Sequence, residues 1–129
     1  MGRYYPNDSW AGPPALVRID PVISFYFHRT PLPRPYTAEW TGWVLVPQDG
    51  VYTFGTENIS ASWLEIDGQL VLANEEHNVY RETQLELARG AHRIKLRFLD
   101  DAGYSHIYLY WKPPGAAEPS APPLSPRSN

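Results

Sequence analysis

The chain has 129 residues, a length that fits one domain able to bury its own hydrophobic core. A net charge of −3 gives no electrostatic reason to expect nucleic acid, and the absence of cysteine excludes disulfides, thiolate metal sites and thiol nucleophiles. Fourteen prolines disfavour long helices, and no apolar run approaches the roughly 20 residues that would cross a bilayer, so we expect no membrane insertion of this segment.

The first third of the chain mixes turns with one predicted strand. Residues 1–20 are rich in aromatic and turn-forming residues. Residues 22–27 form a β-branched and aromatic run of strand length. Pro31, Pro33 and Pro35 then predict an extended connector, because the residue before a proline is disfavoured in a helix.

The centre of the chain predicts two β-hairpins. In each of them, two runs of β-branched and aromatic residues flank a short turn. Asp67-Gly68 is the stronger turn signal, because both residue types tolerate positive φ. The predicted strands are residues 40–46 with 51–55, and residues 63–66 with 69–72.

The last predicted strands alternate apolar and polar residues with a period of two. In residues 93–98, for example, Ile94, Leu96 and Phe98 would face the core while the basic residues between them face water. Residues 83–87 and 105–111 alternate in the same way. The regular spacing of strands and turns predicts an all-β fold, an antiparallel β-sandwich or barrel.

The carboxyl-terminal segment has a different composition. Residues 115–129 are rich in proline and contain almost no large apolar side chains. Such a composition predicts a linker or tail, because it buries too little surface to offset the cost of ordering. We therefore expect one domain over residues 1–114 and a linker over residues 115–129, as a piece of a longer protein.

Several short motifs recur in a fixed order and together resemble one family. The chain has a W-x-G strand, a P-x-x-G-x-Y-x-F turn and strand, an L-x-I-D-G hairpin, an L-x-x-G-x-H strand pair and a closing L-x-W-x-x-P. This set resembles the protective-antigen fourteen-kilodalton domain family over about residues 36–114. The matching residues are Trp40, Gly42, Pro47, Gly50, Tyr52, Phe54, Leu64, Ile66, Asp67, Gly68, Leu87, Gly90, His92, Leu109, Trp111 and Pro114.

The resemblance implies a compact β domain of the type found in bacterial toxins, glycosidases, glycosyltransferases and yeast adhesins. It also implies carbohydrate binding, in some members through a calcium ion held by two consecutive aspartates before the L-x-I-D-G hairpin. Glu57 and Asn58 are interpreted as the equivalent positions here. Calcium takes about 6–8 oxygen ligands and binds more tightly to more carboxylates, so this pair leaves calcium binding, metal-free binding and no binding all open. No other cofactor is expected.

The candidate carbohydrate site combines acidic and amide groups with aromatic surface. Sugars are bound by paired hydrogen bonds and by aromatic rings packed on their C–H faces. We expect the loop at Glu57 and the loop between Asp100 and His106 to converge on one cavity. A charged turn explains the aspartates of the second loop equally well. The candidate residues are Glu57, Asn58, Asp100, Asp101, Tyr104 and His106.

The outward residues of the last predicted strand have two interpretations. His106, Tyr108 and Tyr110 share one face, and they would either contact sugar or cover a tail or a neighbouring domain. Trp63 is likewise either a cover for the sheet or a platform for a ligand. A flat apolar patch formed by Tyr108, Tyr110 and Trp63 would favour a structural or protein-interaction domain.

Catalysis is not expected, because the sequence has no G-x-S-x-G elbow, no cysteine and no phosphate-cradling glycine loop. We therefore expect a non-catalytic carbohydrate-binding module of a larger extracytoplasmic or membrane-anchored protein involved in glycan processing or adhesion. Its partners would be a glycan or neighbouring domains, and its location extracellular or periplasmic. The alternative is a structural or protein-interaction domain without sugar binding.

Overall fold

The computed structural model describes residues 1–27, 29–102 and 105–128. Within these residues the chain forms β-strands and no helix, so the described part of the chain contains no helix able to cross a membrane. The strands are β1 (Gly2–Tyr5), β2 (Leu16–Arg18), β3 (Ser24–Phe27), β4 (Tyr36–Val46), β5 (Gly50–Asn58), β6 (Ala61–Ile66), β7 (Gln69–Asn74), β8 (Arg81–Leu87), β9 (Gly90–Asp100), β10 (Ser105–Lys112) and β11 (Leu124–Ser125).

The strands form two antiparallel sheets. The larger sheet has the order β2-β1-β4-β9-β6-β7, with β11 added beside β4, and the smaller sheet has the order β3-β10-β5-β8. Every predicted strand is present in one of them, and the antiparallel all-β prediction is confirmed. The turn-rich interpretation of the first twenty residues missed β1 and β2, which are too short to show an alternating pattern.

The core lies between the two sheets, which makes the domain a β-sandwich. Side chains at alternate positions of each strand point inward, and Trp40 of the larger sheet stacks on Phe25 of the smaller one with ring centroids 6.0 Å apart. Ile94, Leu96 and Phe98 are buried, as their alternation predicts. Each such aliphatic or Phe side chain contributes about 1.5–3 kcal/mol by leaving water.

A buried carboxylate fastens the amino-terminal strands to this core. Asp20 accepts hydrogen bonds from the Tyr4 hydroxyl at 2.6 Å and from Trp40 Nε1 at 2.9 Å. Its other oxygen is paired with Arg18 Nε at 2.9 Å. Burial, together with the hydrogen bond to Asp20, raises the pKa of Tyr4 far above its usual range. The pairing with Arg18 compensates the buried charge of Asp20.

The Asp67-Gly68 turn has the predicted hairpin geometry and a second role. Its residues have φ of 53° and 81°, as a type I′ turn requires. The Asp67 carboxylate lies 2.6 Å from His92 Nδ1, and His92 Nε2 lies 2.7 Å from the Ala88 carbonyl oxygen. Burial opposes a charge on His92, but the hydrogen bonds to Asp67 and Ala88 outweigh it and raise its pKa. The two motif residues Asp67 and His92 therefore hold each other in place.

The proline-rich segment expected to be a linker packs in part against the edges of both sheets. Ser120 exchanges two backbone hydrogen bonds with Trp111, at 2.8 and 3.0 Å. Further on, β11 pairs with Val44 and Trp43, and Leu124 is buried. A proline-rich chain can do this because β11 lies beside only one strand and supplies a single apolar side chain to the core. In the structure the packed domain thus extends to Ser125 rather than ending at Pro114.

Candidate functional site

Glu57 and Asn58 are consecutive residues of β5, and their side chains point to opposite faces of the smaller sheet. Asn58 is fully buried, and its Nδ2 donates a hydrogen bond to the Asn74 carbonyl oxygen at 3.3 Å. Its Oδ1 accepts a hydrogen bond from the Ser62 hydroxyl at 2.7 Å. Asn58 therefore ties β5 to β6 and β7 inside the domain, while Glu57 faces outward.

This arrangement does not fit a calcium ion shared by the two side chains. The Asn58 oxygen is engaged by Ser62 in the interior, and the Glu57 carboxylate is on the other side of the sheet. Across the residues that the structure describes, no group of three or more His, Asp or Glu side chains is placed to hold a metal.

The predicted acidic pair at the end of β9 is also divided. Asp100 is fully buried, and its Oδ1 accepts a hydrogen bond from Arg34 Nε at 3.0 Å, which joins the β3–β4 connector to β9. Asp101 is exposed at the rim, where it accepts a hydrogen bond from the Ser60 hydroxyl at 2.7 Å. The two predicted loops do meet there, but through Ser60, which was not among the predicted site residues.

The predicted site residues therefore do not form one cluster. Glu57 and His106 share the outer face of the smaller sheet, Asn58 and Asp100 lie in the interior, and Asp101 lies at the rim. Tyr104 lies outside the described residues.

The outer face of the smaller sheet carries a continuous row of aromatic rings, here called the aromatic strip. Along it the ring centroids of successive neighbours are 6.5, 5.5, 6.1 and 5.9 Å apart. The outermost ring, that of Tyr26 on the edge strand β3, is 57% exposed. In spatial order, the residues of the strip are Tyr26, His106, Tyr108, Tyr110 and Tyr80.

Glu57 places a carboxylate within the strip. It is paired in register with Tyr108, and its Oε2 lies 3.8 Å from His106 Nε2. Burial raises the pKa of both Tyr108 and Tyr110, and the Glu57 charge adds a smaller effect in the same direction. Burial lowers the pKa of His106, an effect that the Glu57 charge opposes. The strip therefore combines apolar ring surface with an anionic hydrogen-bond acceptor and neutral phenol groups.

One end of the strip depends on the absence of a side chain at Gly55. The Tyr80 ring lies directly over this residue, so that a Cβ at position 55 would overlap with the ring. Tyr80 Oη donates a hydrogen bond to Glu82 Oε2 at 3.0 Å. Burial, with a smaller effect of that bond, raises the pKa of Tyr80 to about 12. Gly55 leaves room for the ring and Glu82 anchors its hydroxyl, so that the ring lies beside Tyr110 at an interplanar angle of 62°.

The sequence identified only the part of the strip that lies on β10. His106, Tyr108 and Tyr110 alternate along one strand, whereas Tyr26 and Tyr80 reach the same face from other parts of the chain. The predicted patch with Trp63 is not formed. Trp63 belongs to the larger sheet, where it packs edge-on against Trp10 with ring centroids 5.6 Å apart.

Comparison with known structures gives several similar folds. An anti-sigma factor domain-containing protein is 26% identical, with a TM-score of 0.85 over 95% of this chain and 45% of that one. A PA14 sugar-binding domain from an RTX adhesin is 20% identical, with a TM-score of 0.59 over 70% of this chain and 54% of that one. The epithelial adhesin 9 A domain from Candida glabrata, in complex with Galb1-3GlcNAc, is 14% identical, with a TM-score of 0.65 over 83% of this chain and 70% of that one.

The two adhesin domains, at these identities, show a shared fold. The chain spans less than half the length of the anti-sigma factor domain-containing protein, 45% of it. No curated protein matches the sequence. The sequence matches the PA14 domain over residues 1–125, nearly its whole length, and the chain therefore belongs to the PA14 domain family.

Proposed function

We propose that this domain is a non-catalytic carbohydrate-binding module that binds a neutral glycan along the aromatic strip. The observation that carries the proposal is the position of the Glu57 carboxylate within a row of aromatic rings on an exposed sheet face. Aromatic surface with a few convergent polar groups is the usual composition of a sugar-binding site.

Each component of the strip has a matching group on a sugar. The C–H faces of a pyranose ring pack against aromatic carbons and lose contact with water. The ionised Glu57 carboxylate accepts hydrogen bonds from sugar hydroxyls, and the Tyr108 and Tyr110 hydroxyls both donate and accept. Because the rings extend in a row rather than around a pit, the strip suits several consecutive units of an extended chain.

The family and the neighbouring structures support the same class of function. The RTX adhesin relative is a sugar-binding domain, and the epithelial adhesin relative is complexed with a disaccharide. Since the chain spans 45% of the anti-sigma factor domain-containing protein, we propose that it is an accessory module of a longer protein. We further propose that this protein presents the module outside the cytoplasm, where glycans are accessible, for glycan processing or adhesion.

A second candidate function is docking of a protein domain on the same strip. The exposure of Tyr26 and the breadth of the aromatic row favour this alternative, because protein interfaces are enriched in tyrosine. The two functions differ in their response to soluble glycan, which would leave a protein-docking surface unaffected.

The experiment is native affinity electrophoresis of the folded protein in gels containing neutral β-glucans, galactans or mannans, one polymer per gel. We expect at least one polymer to retard the protein, and Tyr108→Ala to weaken the retardation about fivefold. Glu57→Gln removes charged acceptor sites from the strip, and we expect about a tenfold loss.

Leu70→Ala is the matched control, because Leu70 is 60% exposed but lies on the larger sheet. It should migrate like the unchanged protein in every gel. A folded protein that no polymer retards would contradict the proposal, and so would an equal loss of retardation in Leu70→Ala.

A further inference from the structure

The outer face of the larger sheet holds a groove that is not part of the aromatic strip. The groove has a volume of about 490 Å³ and runs across β4, β9 and β6. This volume lies within the range of about 300–1,000 Å³ that is typical of small-ligand sites. Strand pairing sets its walls: Trp43 lies opposite Arg93, and Lys95 lies between Thr41 and Glu65. The core of the sandwich separates these residues from Glu57 and the strip.

The groove has a charge opposite to that of the chain. Arg3, Arg93 and Lys95 line it together with a single carboxylate, Glu65, whereas the whole chain has a net charge of −3. Cationic side chains gathered in a concave surface attract anions more strongly than the same charges spread over a surface. The local charge therefore selects for an anionic ligand on a protein that otherwise repels one.

The cationic groups of the groove retain free hydrogen-bonding capacity. In the described part of the chain, the Lys95 ammonium has neither a hydrogen bond nor an ion pair, and the Arg93 guanidinium lies over the Trp43 ring at 5.0 Å without a side-chain hydrogen bond. Arg3 donates one hydrogen bond, to Thr41 Oγ1 at 3.1 Å. Several N–H donors of these three residues are thus available to a ligand.

We infer that this groove binds an acidic saccharide, a sugar unit that carries a carboxylate. The carboxylate is recognised by Arg93 and Lys95, since a guanidinium donates two parallel hydrogen bonds to a carboxylate and an ammonium adds a compact charge. The Thr41 hydroxyl can donate a hydrogen bond to a sugar hydroxyl or accept one from it, and the Glu65 carboxylate can accept one. The Trp43 ring, on which the Arg93 guanidinium stacks, holds that guanidinium in the groove.

The presence of Glu65 distinguishes this inference from simple anion binding. A site for phosphate or another fully charged ion would be weakened by a carboxylate beside its cations. A sugar acid presents hydroxyls as well as a charge, so it can pair with the cationic side chains through its carboxylate and with Glu65 through its hydroxyls. This inference is independent of the proposed function, because it rests on a different face of the domain and on different residues.

The test is titration of the folded protein with tri-galacturonate and, in parallel, with its methyl ester, followed by NMR or calorimetry. The ester keeps the sugar rings and removes the charges. We expect tri-galacturonate to bind and the ester to bind at least about tenfold more weakly, because the ester has no negative charge to pair with Arg93 and Lys95.

Lys95→Gln should weaken binding of tri-galacturonate about tenfold, and Arg93→Gln should do so by a similar factor. Lys112→Gln is the matched control, because Lys112 lies on β10 in the smaller sheet. It should leave the affinity unchanged.

Four outcomes would overturn the inference. They are no binding of tri-galacturonate, equal binding of its ester, equal weakening by Lys112→Gln, and full competition by inorganic phosphate at the same concentration as the sugar. If no neutral polysaccharide retards the protein in the gels, the titration with tri-galacturonate still tests the groove. If tri-galacturonate does not bind, the gels still test the aromatic strip.

Discussion

The two outer faces of the sandwich are built in the same way but differ in chemistry. On the smaller sheet, the outward residues of β10 from His106 to Tyr110 are aromatic, and Glu57 lies beside them. On the larger sheet, the charged residues around Lys95 are mainly cationic. Both sets occupy positions that strand alternation leaves free once the core is filled. The contrast teaches that the two proposed binding surfaces are formed by residues that the fold itself does not require.

The interior polar residues complete the contrast. Asn58 and Asp100 were expected in the binding site, but both are fully buried and hydrogen-bonded to other parts of the chain. Their contacts hold the strand ends at one rim of the sandwich. These contacts assign the polar interior to stability and leave the exposed faces for the ligands that we propose.

The largest effect is expected from breaking the buried ion pair at that rim. Arg34→Ala leaves the Asp100 carboxylate buried without its cation, and we expect the free energy of unfolding to fall by about 3 kcal/mol in urea denaturation. Arg29→Ala, on the exposed part of the same connector, is the control and should change little. Loss of glycan binding with unchanged stability would mean that Asp100 contacts ligand, and the division between interior and faces would fail.

The next effect concerns the geometry of the aromatic strip. Gly55→Ala introduces a Cβ that overlaps with the end of the partly exposed Tyr80 ring, so the ring must turn away, and we expect a loss of about 1 kcal/mol in stability and weaker retardation by neutral glycan. The same substitution in a Tyr80→Ala background should cost much less, because the overlapping ring is gone. A double-mutant cycle measures this coupling, and additive effects would show that Gly55 does not position Tyr80.

Salt should weaken binding on one face of the sandwich and leave binding on the other nearly unchanged. Raising the salt concentration from about 0.1 to about 1 M shortens the Debye length from about 10 to about 3 Å. We expect the affinity for tri-galacturonate to fall several-fold, because the groove around Lys95 acts through charge. Retardation by neutral glycan on the strip should hardly change. Equal salt sensitivity of the two ligands would remove the distinction between the faces.

The smallest effect is a pair of opposite pH dependences. The pKa of His92, at the end of the larger sheet, is raised in the folded state. Its stabilising contribution is complete below the unfolded value of about 6.5 and is lost as pH rises through the folded-state pKa. The difference in unfolding free energy between the unchanged protein and His92→Ala should therefore be larger near pH 5.5 than near pH 9.

His106, on the strip, should behave in the opposite way. Burial lowers its pKa, so the stability linked to its neutral form is present above about pH 6.5 and is lost as pH falls through the folded-state pKa. The same measurement on His106→Ala should show the larger difference near pH 9. Parallel pH profiles for the two variants would contradict the assigned environments of both histidines.

A strand of this protein was predictable wherever its own residues, or those of the adjacent turn, formed a recognisable pattern. Asp67-Gly68 identified a hairpin because positive φ at two successive residues is a local requirement. Residues 93–98 predicted their buried face because alternation is a property of a single strand. β1 and β2 escaped prediction because they are short and are fastened by the contact of Tyr4 and Arg18 with Asp20.

The candidate site was predictable only in part. His106, Tyr108 and Tyr110 were identified because they alternate along one strand, but the contribution of Tyr26 and Tyr80 depends on which strands pair. Adjacent residues in a strand point to opposite faces, so the proximity of Glu57 and Asn58 in sequence did not make them neighbours in a site. The packing of β11 beside Trp43 likewise left no signal in a proline-rich segment.

By itself, the sequence determined the fold class, the family and the inward or outward position of most strand residues, because period-two patterns and turn residues act locally. The tertiary structure decided which outward residues meet. Strand order brings Lys95 beside Glu65 and Thr41, and it brings Tyr26 and Tyr80 to the two ends of the β10 aromatic residues. Both surfaces are assembled across strands by long-range hydrogen bonding, and no segment of the chain encodes either of them alone.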